Sequence, residues 1–544
     1  MTTGPTADLL VRAGAVHNMD PAQDPTTALA VRDGTIVATA GRDEEREFLE
    51  AWRGPDTVAV GDPGLTVLPA FVDTHNHLAL AARNLLGVPV SQARDIAQLV
   101  DLIQQRATRT PTGQWIISAA DWHELQLAER RLPTAAELDQ ATTDHPVLVQ
   151  RGGHNGVLNT AGLRAAGINR DTPDVEGGLI ARDAAGNPTG LLQDAALALA
   201  QQVLPPLPDE ALVSAIEQAS RTYAAHGLGT VRDPFVTPAE WHTYVRAQAA
   251  GRLSVRSHVM IATTPAAVEA AGSMDAYLDA LEAQGIKPGT GEGRLRLWGL
   301  KFGLDGGVEA AALEEPYADR PDYRGELMWS RDELARAFAA CVRRGWPVGT
   351  HAVGDRANAL LVDAIRDARM LAGEVPSGAL VIEHGGLIAG RIADVLELGV
   401  HITVQQALLD GLGPAFLQAW GKDRTAALFP WRELIDAGAW ISAGTDHPIG
   451  PLDPLRAIHG MTTRVTPAGV LGPEHAITRA EALRLYTVAG AQFLGRPATG
   501  TLVPGAPADL VAYPADPLTC PTEQLLDLAP TATVVGGELV HHTS

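Results

Sequence analysis

Cysteine is nearly absent from this chain. Only Cys341 and Cys520 occur in 544 residues, which excludes a disulfide framework and a thiolate metal cage. Positive charge is also scarce: 42 Lys and Arg face 64 Asp and Glu, for a formal net charge of −22. With no basic run either, nucleic acid and anionic membranes are excluded as natural partners. No apolar run reaches membrane-spanning length. The first residues, Met1 to Asp8, have neither a charged n-region nor an apolar h-region. These absences lead to the expectation of a soluble, cytoplasmic protein that works on a small molecule. A homodimer is the simplest candidate assembly.

What the chain does have is a recurring unit of helix, glycine, buried strand and polar end. Ser330 and Glu333 form a capping box for a helix from Arg331 to about Arg344, Gly345 stops it, and Trp346–His351 reads as a strand. A helix from about Asp355 to Leu371 leads to the strand Ala379–His384. Arg391 to Leu398 is helical, and after Gly399 comes His401–Gln406. Trp431 to Ala437 gives way at Gly438 to Ala439–Asp446. Gly229–Arg232, Val255–Ile261 and Leu295–Phe302 read as earlier short strands. With Thr66–Asp73 counted first, eight strands separated mostly by helices predict an α/β fold, a (β/α)8 TIM barrel with its active site at the C-terminal strand ends.

The two ends of the chain look different. Ala28–Ala40 reads as two strands joined at Asp33-Gly34, and Thr501–His542 repeats that style around Gly536-Gly537. The expected division is a small β-sandwich domain from residues 1–65 and 495–544, the barrel from 66–77 and 227–494, and an insertion at 78–226. That insertion is too long for one helical crossover. Its segment Leu179–Leu192 reads as a hairpin, and the whole insert is a candidate cover for the barrel mouth, near the active site.

Chemistry-bearing residues sit where predicted strands run out. His75 and His77, at i and i+2 on an extended segment, point the same way, so one metal can take both imidazoles. Lys301 lies on strand four, His351 on five, His384 on six and Asp446 on eight. His75 and His77 would bind a first divalent ion, with His351 and His384 available for a second. Metal binding lowers the pKa of water towards about 7. Asp446, touching the first metal, can take a proton from the metal-bound hydroxide's parent water and deliver it to a leaving amine. Lys301 is the odd member, because an ammonium beside two cations is electrostatically unreasonable. Either it stays an ordinary lysine paired with Asp305, or carbon dioxide converts it to an anionic carbamate.

Leu68-Pro69-Ala70-Phe71-Val72-Asp73-Thr74-His75-Asn76-His77 resembles the strand-one signature of the amidohydrolase superfamily. Lys301–Gly306, Thr350–Asp355, Ile382-Glu383-His384, Gly444-Thr445-Asp446 and Gly500–Val511 resemble its YtcJ-like branch, amidohydrolase family 3, which includes N-substituted formamide deformylases. The resemblance implies a metal-dependent barrel, most simply a zinc enzyme with one or two ions, hydrolysing an amide- or formamide-type C–N bond. It also implies N6-carboxylation of Lys301 as a bridging ligand. Departures touch the pocket more than the ligands: Ala70 replaces a usual glycine, Gln406-Ala407-Leu408 lacks a usual proline, and His447 follows Asp446. Gly303 and Gly307 replace bulkier residues and suggest a roomy strand-four mouth. Trp122, Glu124, His154 and Asp305 are the candidate substrate contacts. The competing readings are a hydrolytic deaminase of a heterocyclic or guanidine-like substrate, against which Lys301 speaks, and a non-enzymatic metal-binding barrel.

Overall fold

The computed structural model describes residues 6–20, 25–153, 155–175 and 178–543. It has two compact units, one comprising the chain up to His77 together with Ser220 onward, the other Leu78–Ala219. In the first unit, eight parallel strands pair strictly in chain order: β1 (Phe71–Asp73), β2 (Leu228–Val236), β3 (Arg256–Thr263), β4 (Leu295–Gly303), β5 (Val348–Ala352), β6 (Leu380–His384), β7 (His401–Val404) and β8 (Ile441–Ala443). The remaining gap, between β8 and β1, is bridged by the Thr74 N–H to the Ala443 carbonyl (3.2 Å). The Thr74 hydroxyl adds contacts to Ser442 (2.7 Å) and Thr403 (2.9 Å). This is the (β/α)8 barrel.

Local sequence explains the repeat. The Ser330 hydroxyl accepts from the Glu333 N–H and the Glu333 carboxylate from the Ser330 N–H, starting the helix Arg331–Arg343. The helix Ile392–Leu398 ends at Gly399, whose φ of +56° is a left-handed conformation that costs glycine little. Strands such as Leu380-Val381-Ile382 are wholly buried, as both faces of a parallel sheet must be.

Strand one corrects the sequence reading. Thr66–Asp73 is not a single barrel strand: Thr66–Pro69 pairs antiparallel with Leu510–Tyr513, and only Phe71–Asp73 joins β2. The switch falls at Ala70, whose N–H goes to the Asp509 carbonyl while that of Phe71 goes to Gly227. Thr66–Pro69 thereby links N- and C-terminal strands into one hydrogen-bonded eight-stranded sheet. Its core includes Leu9, Val11, Leu29, Val31, Val67, Leu510 and Val534. The sheet is tied to the starts of the barrel strands, through Arg256 on Asp509 (2.7 and 3.0 Å) and Arg294 on the Val535 carbonyl (2.9 Å).

The second unit carries a five-stranded sheet in the order Gly178–Arg182, Pro188–Asp194, Asn155–Leu158, Val147–Arg151, Ile116–Ile117. The first two are the expected hairpin. Among the described residues, no helix is long and apolar enough to cross a membrane.

Candidate metal centre

Asp73, the last residue of β1, does the local positioning. Its carboxylate accepts from the N–H groups of His75 (3.0 Å) and Thr445 (3.1 Å) and from the Thr445 hydroxyl (2.6 Å). That ties the His75–His77 segment to the loop after β8. The Asp446 N–H then reaches the His75 carbonyl (2.8 Å), and the His77 N–H the His447 carbonyl (2.7 Å). A side chain at Gly444 would strike the His75 backbone, so glycine is required for this approach. Asp446 itself sits at φ +56°, a conformation aspartate tolerates better than most residues.

The result is a convergence of acceptors. His75 Nδ1 lies 2.5 Å from Glu383 Oε2, and His77 Nδ1 lies 2.9 Å from the Pro234 carbonyl oxygen. A carbonyl can only accept, and so can an ionised carboxylate, so both Nδ1 atoms carry the proton. In the neutral form of each ring, Nε2 then carries the lone pair. The two Nε2 atoms face Asp446 Oδ1 at 3.3 Å from His75 and 3.0 Å from His77. Three acceptors within 4.8 Å of one another are stable only with a positive charge among them. Burial opposes charge on His77, yet Asp446 pulls its pKa upward. Burial likewise opposes the Asp446 carboxylate, yet the closeness of His75 and His77 holds its pKa well below the usual range.

The remaining residues crowd the same mouth. The His384 ring is 4.6 Å from that of His75 and 4.4 Å from that of His351. Neighbouring strand residues normally point to opposite faces, but Glu383 and His384 both reach His75, because His384 turns at φ +74°. Burial, then His351 and His75, drive the His384 pKa well down, so it is neutral. Lys301 is 3% exposed, and burial pushes its pKa down to about 8 against the opposing pull of Glu383 and Asp446. Among the described residues His75 Nε2, Asp446 Oδ1, His384 Nδ1 and Lys301 Nζ have no hydrogen-bond partner. A buried polar atom without a partner is costly, and four at one strand-end layer mark a place built for something else.

The chain is similar to known proteins over nearly its whole length. The model of the amidohydrolase family matches residues 63–541. The chain belongs to the amidohydrolase family. This amidohydrolase is 29% identical to a Bacillus subtilis (strain 168) protein named, provisionally, amidohydrolase YtcJ, over 98% of this chain and 99% of that one. It is 28% identical to N-substituted formamide deformylase of Arthrobacter pascens, over 98% of each. Its fold is similar to the crystal structure of an uncharacterized metal-dependent hydrolase from Pyrococcus horikoshii OT3, with TM-score 0.75, 24% identity, and 95% and 99% of the two chains covered. As a member of that family the protein is an amidohydrolase, and its convergent acceptors are a group that could hold a metal ion. The donor set fits such an ion, since imidazole nitrogen and carboxylate oxygen suit zinc-like divalent cations.

The expected substrate contacts of the amidohydrolase fare differently. Asp305 is corrected to a structural residue: its carboxylate is fully buried and accepts the N–H groups of Ala312 (3.0 Å), Val353 (3.1 Å) and Gly354 (2.9 Å). It pins the loops after β4 and β5 and lies 3.5 Å from His351 Nε2, so it braces a histidine instead of facing substrate. Nor does it pair with Lys301, whose Nζ has no hydrogen-bond partner. Trp122 lies in the insert's core, with its indole N–H on the Gln150 carbonyl. Glu124 pairs with Arg151 (2.8 Å) and lines an open cavity of about 430 Å³ with Arg130, Arg131, Asn155 and Gln193. His154 lies outside the described residues. Sequence reading missed Glu383, Arg232 and Asp73. The one available signal was a charged residue inside an apolar run, as in Leu380-Val381-Ile382-Glu383, which must find a buried partner.

Proposed function

We propose that this enzyme hydrolyses an amide- or formamide-type C–N bond of a small molecule, using a divalent ion, most simply zinc, held by His75, His77 and Asp446, with His351 and His384 for a second. The observation that carries this reading is the convergence of the His75, His77 and Asp446 acceptor atoms beside the unpartnered Lys301. A divalent cation supplies Lewis acidity there, polarising a carbonyl oxygen and acidifying water. Asp446 takes a proton from the attacking water at a carboxylate oxygen and returns it to the leaving nitrogen. The C–N bond breaks, and water is divided between a carboxylic acid and an amine. Gly307 leaves room for substrate beyond β4, since a methyl there would find its nearest neighbour 3.8 Å away, whereas one at Gly303 would meet the Met328 sulfur at 3.4 Å.

In this reading Lys301 Nζ would add to carbon dioxide, releasing a proton, and the resulting carbamate would offer anionic oxygen ligands to the metal site. The similarity to N-substituted formamide deformylase supports N-formyl amines as the first substrates to assay. The test is metal content by mass spectrometry with turnover of N-formyl and N-acyl amines. Two equivalents of zinc, activity on these amines, and inactive Lys301→Ala partly restored by short carboxylic acids are expected. One equivalent with a fully active Lys301→Ala enzyme would overturn the carbamate and favour a deaminase.

A further inference from the structure

Behind His75 lies a fully buried pair that the reaction does not touch. Arg232, on β2, and Glu383, on β6, are both 0% exposed. The Arg232 guanidinium donates to both Glu383 oxygens (2.6 and 2.7 Å) and, through Nε, to the Thr74 carbonyl (2.7 Å), one residue before His75. Its other surroundings are aromatic: the guanidinium carbon lies 4.7 Å from the Trp298 ring and 4.8 Å from that of Phe493. Glu383 in turn holds His75 Nδ1 at 2.5 Å. On the opposite side, Gly349 of β5 leaves the space the carboxylate needs, and a methyl there would collide with it.

We propose that Arg232 and Glu383 are positioning residues that fix the tautomer and ring orientation of His75, and so set how tightly this centre holds its metal. A carboxylate on Nδ1–H leaves the lone pair on Nε2, aimed at Asp446, and makes that nitrogen a better donor. Arg232 keeps the carboxylate ionised and ties it to the backbone that carries the ligand. The anchor spans three strands, β1, β2 and β6, so the ligand cannot turn without moving the barrel wall. A carboxylate buried only for stability would need Arg232 alone; it would not need a 2.5 Å contact to a ring whose other nitrogen has no partner.

This inference rests on the metal reading above, and its test separates the two. Cobalt(II) affinity, by competition with a chromophoric chelator, and the cobalt visible spectrum are measured for wild type, Glu383→Gln and Glu383→Asp. The glutamine variant removes the charge opposite Arg232 and risks misfolding. The aspartate variant keeps that charge but is one methylene too short for His75. Both folded variants are expected to bind cobalt about 10- to 100-fold more weakly, with an altered spectrum. Unchanged affinity and spectrum in either, with at most a lower melting temperature, would overturn the inference. If the glutamine variant does not fold, the aspartate variant decides. A wild-type protein that takes up no cobalt would overturn the metal reading, and this inference with it.

Discussion

The two ends of the barrel hold buried histidines of opposite kinds. At the mouth, His75 and His384 have a ring nitrogen without a hydrogen-bond partner; at the base, His401 has two. Lack of a partner therefore does not identify a ligand. His401 stacks on Phe493 with centroids 3.7 Å apart and planes 5° from parallel, edge-on to Trp440 at 4.9 Å. It is used as an aromatic plate, and burial holds its pKa well below the ordinary value. His258, near the start of β3, is likewise kept neutral, pushed down to about 3 by burial and then by nearby arginines. At the mouth the His75 and His77 rings are anchored on one nitrogen by Glu383 or Pro234, and the other nitrogen meets a carboxylate. The distinguishing property is convergence, with one side of the ring fixed.

The comparison predicts its largest effect at Asp446. Asp446→Asn should lower kcat by about 10²- to 10⁴-fold, the range for a lost general acid–base, and weaken metal retention. Steady-state kinetics with metal analysis check both. Wild-type turnover in that variant would reduce the convergence at the mouth to packing, like that at the base.

A smaller effect should appear in the acid stability of the base. The folded pKa of His258, about 3, lies below the ordinary value of about 6.5 for an unfolded chain. Between those values the unfolded state binds the proton and the folded state does not. Stability therefore falls as pH drops through that window, by up to about 1.4 kcal/mol per pH unit for one such group. His258→Gln should flatten the slope of unfolding free energy between pH 6.5 and 4, measured by urea denaturation. An unchanged slope would mean that His258 titrates normally and is not held neutral by burial.

Much of the mouth was legible in the sequence because residues close to a strand end carry their own local pattern. His75-x-His77 needs only the period of a strand, and glycines such as Gly345 and Gly399 punctuate the helices that precede the strands bearing His351 and His401. The supporting residues were not legible, because their partners are remote. Glu383 meets Arg232 across 151 positions and His75 across 308, and no local spacing encodes such a pair. Asp305 misled for the converse reason. It stands four residues after Lys301, yet two of its three backbone donors, Val353 and Gly354, are 48 and 49 residues away. The break at Ala70 was hidden because Thr66–Asp73 is continuously buried, and burial alone does not say to which sheet a strand belongs.

The smallest effect is expected for His401→Phe, and it sharpens the comparison most. Two ring nitrogens buried without partners cost free energy that the packing on Phe493 and Trp440 offsets. A phenyl ring keeps the stack and removes the desolvated nitrogens, at the cost of a slightly larger ring in a filled space. The two terms oppose each other, so unfolding free energy should change by no more than about 1 kcal/mol, towards greater stability if the space yields. Metal content and turnover should stay at wild-type values, since His401 begins β7 at the base of the barrel. The same chemical change at the mouth, His384→Phe, also removes an unpartnered nitrogen, yet it should reduce bound metal and activity together. If His401→Phe lost metal as His384→Phe does, the base would be coupled to the centre, and the division between plate and ligand would fail.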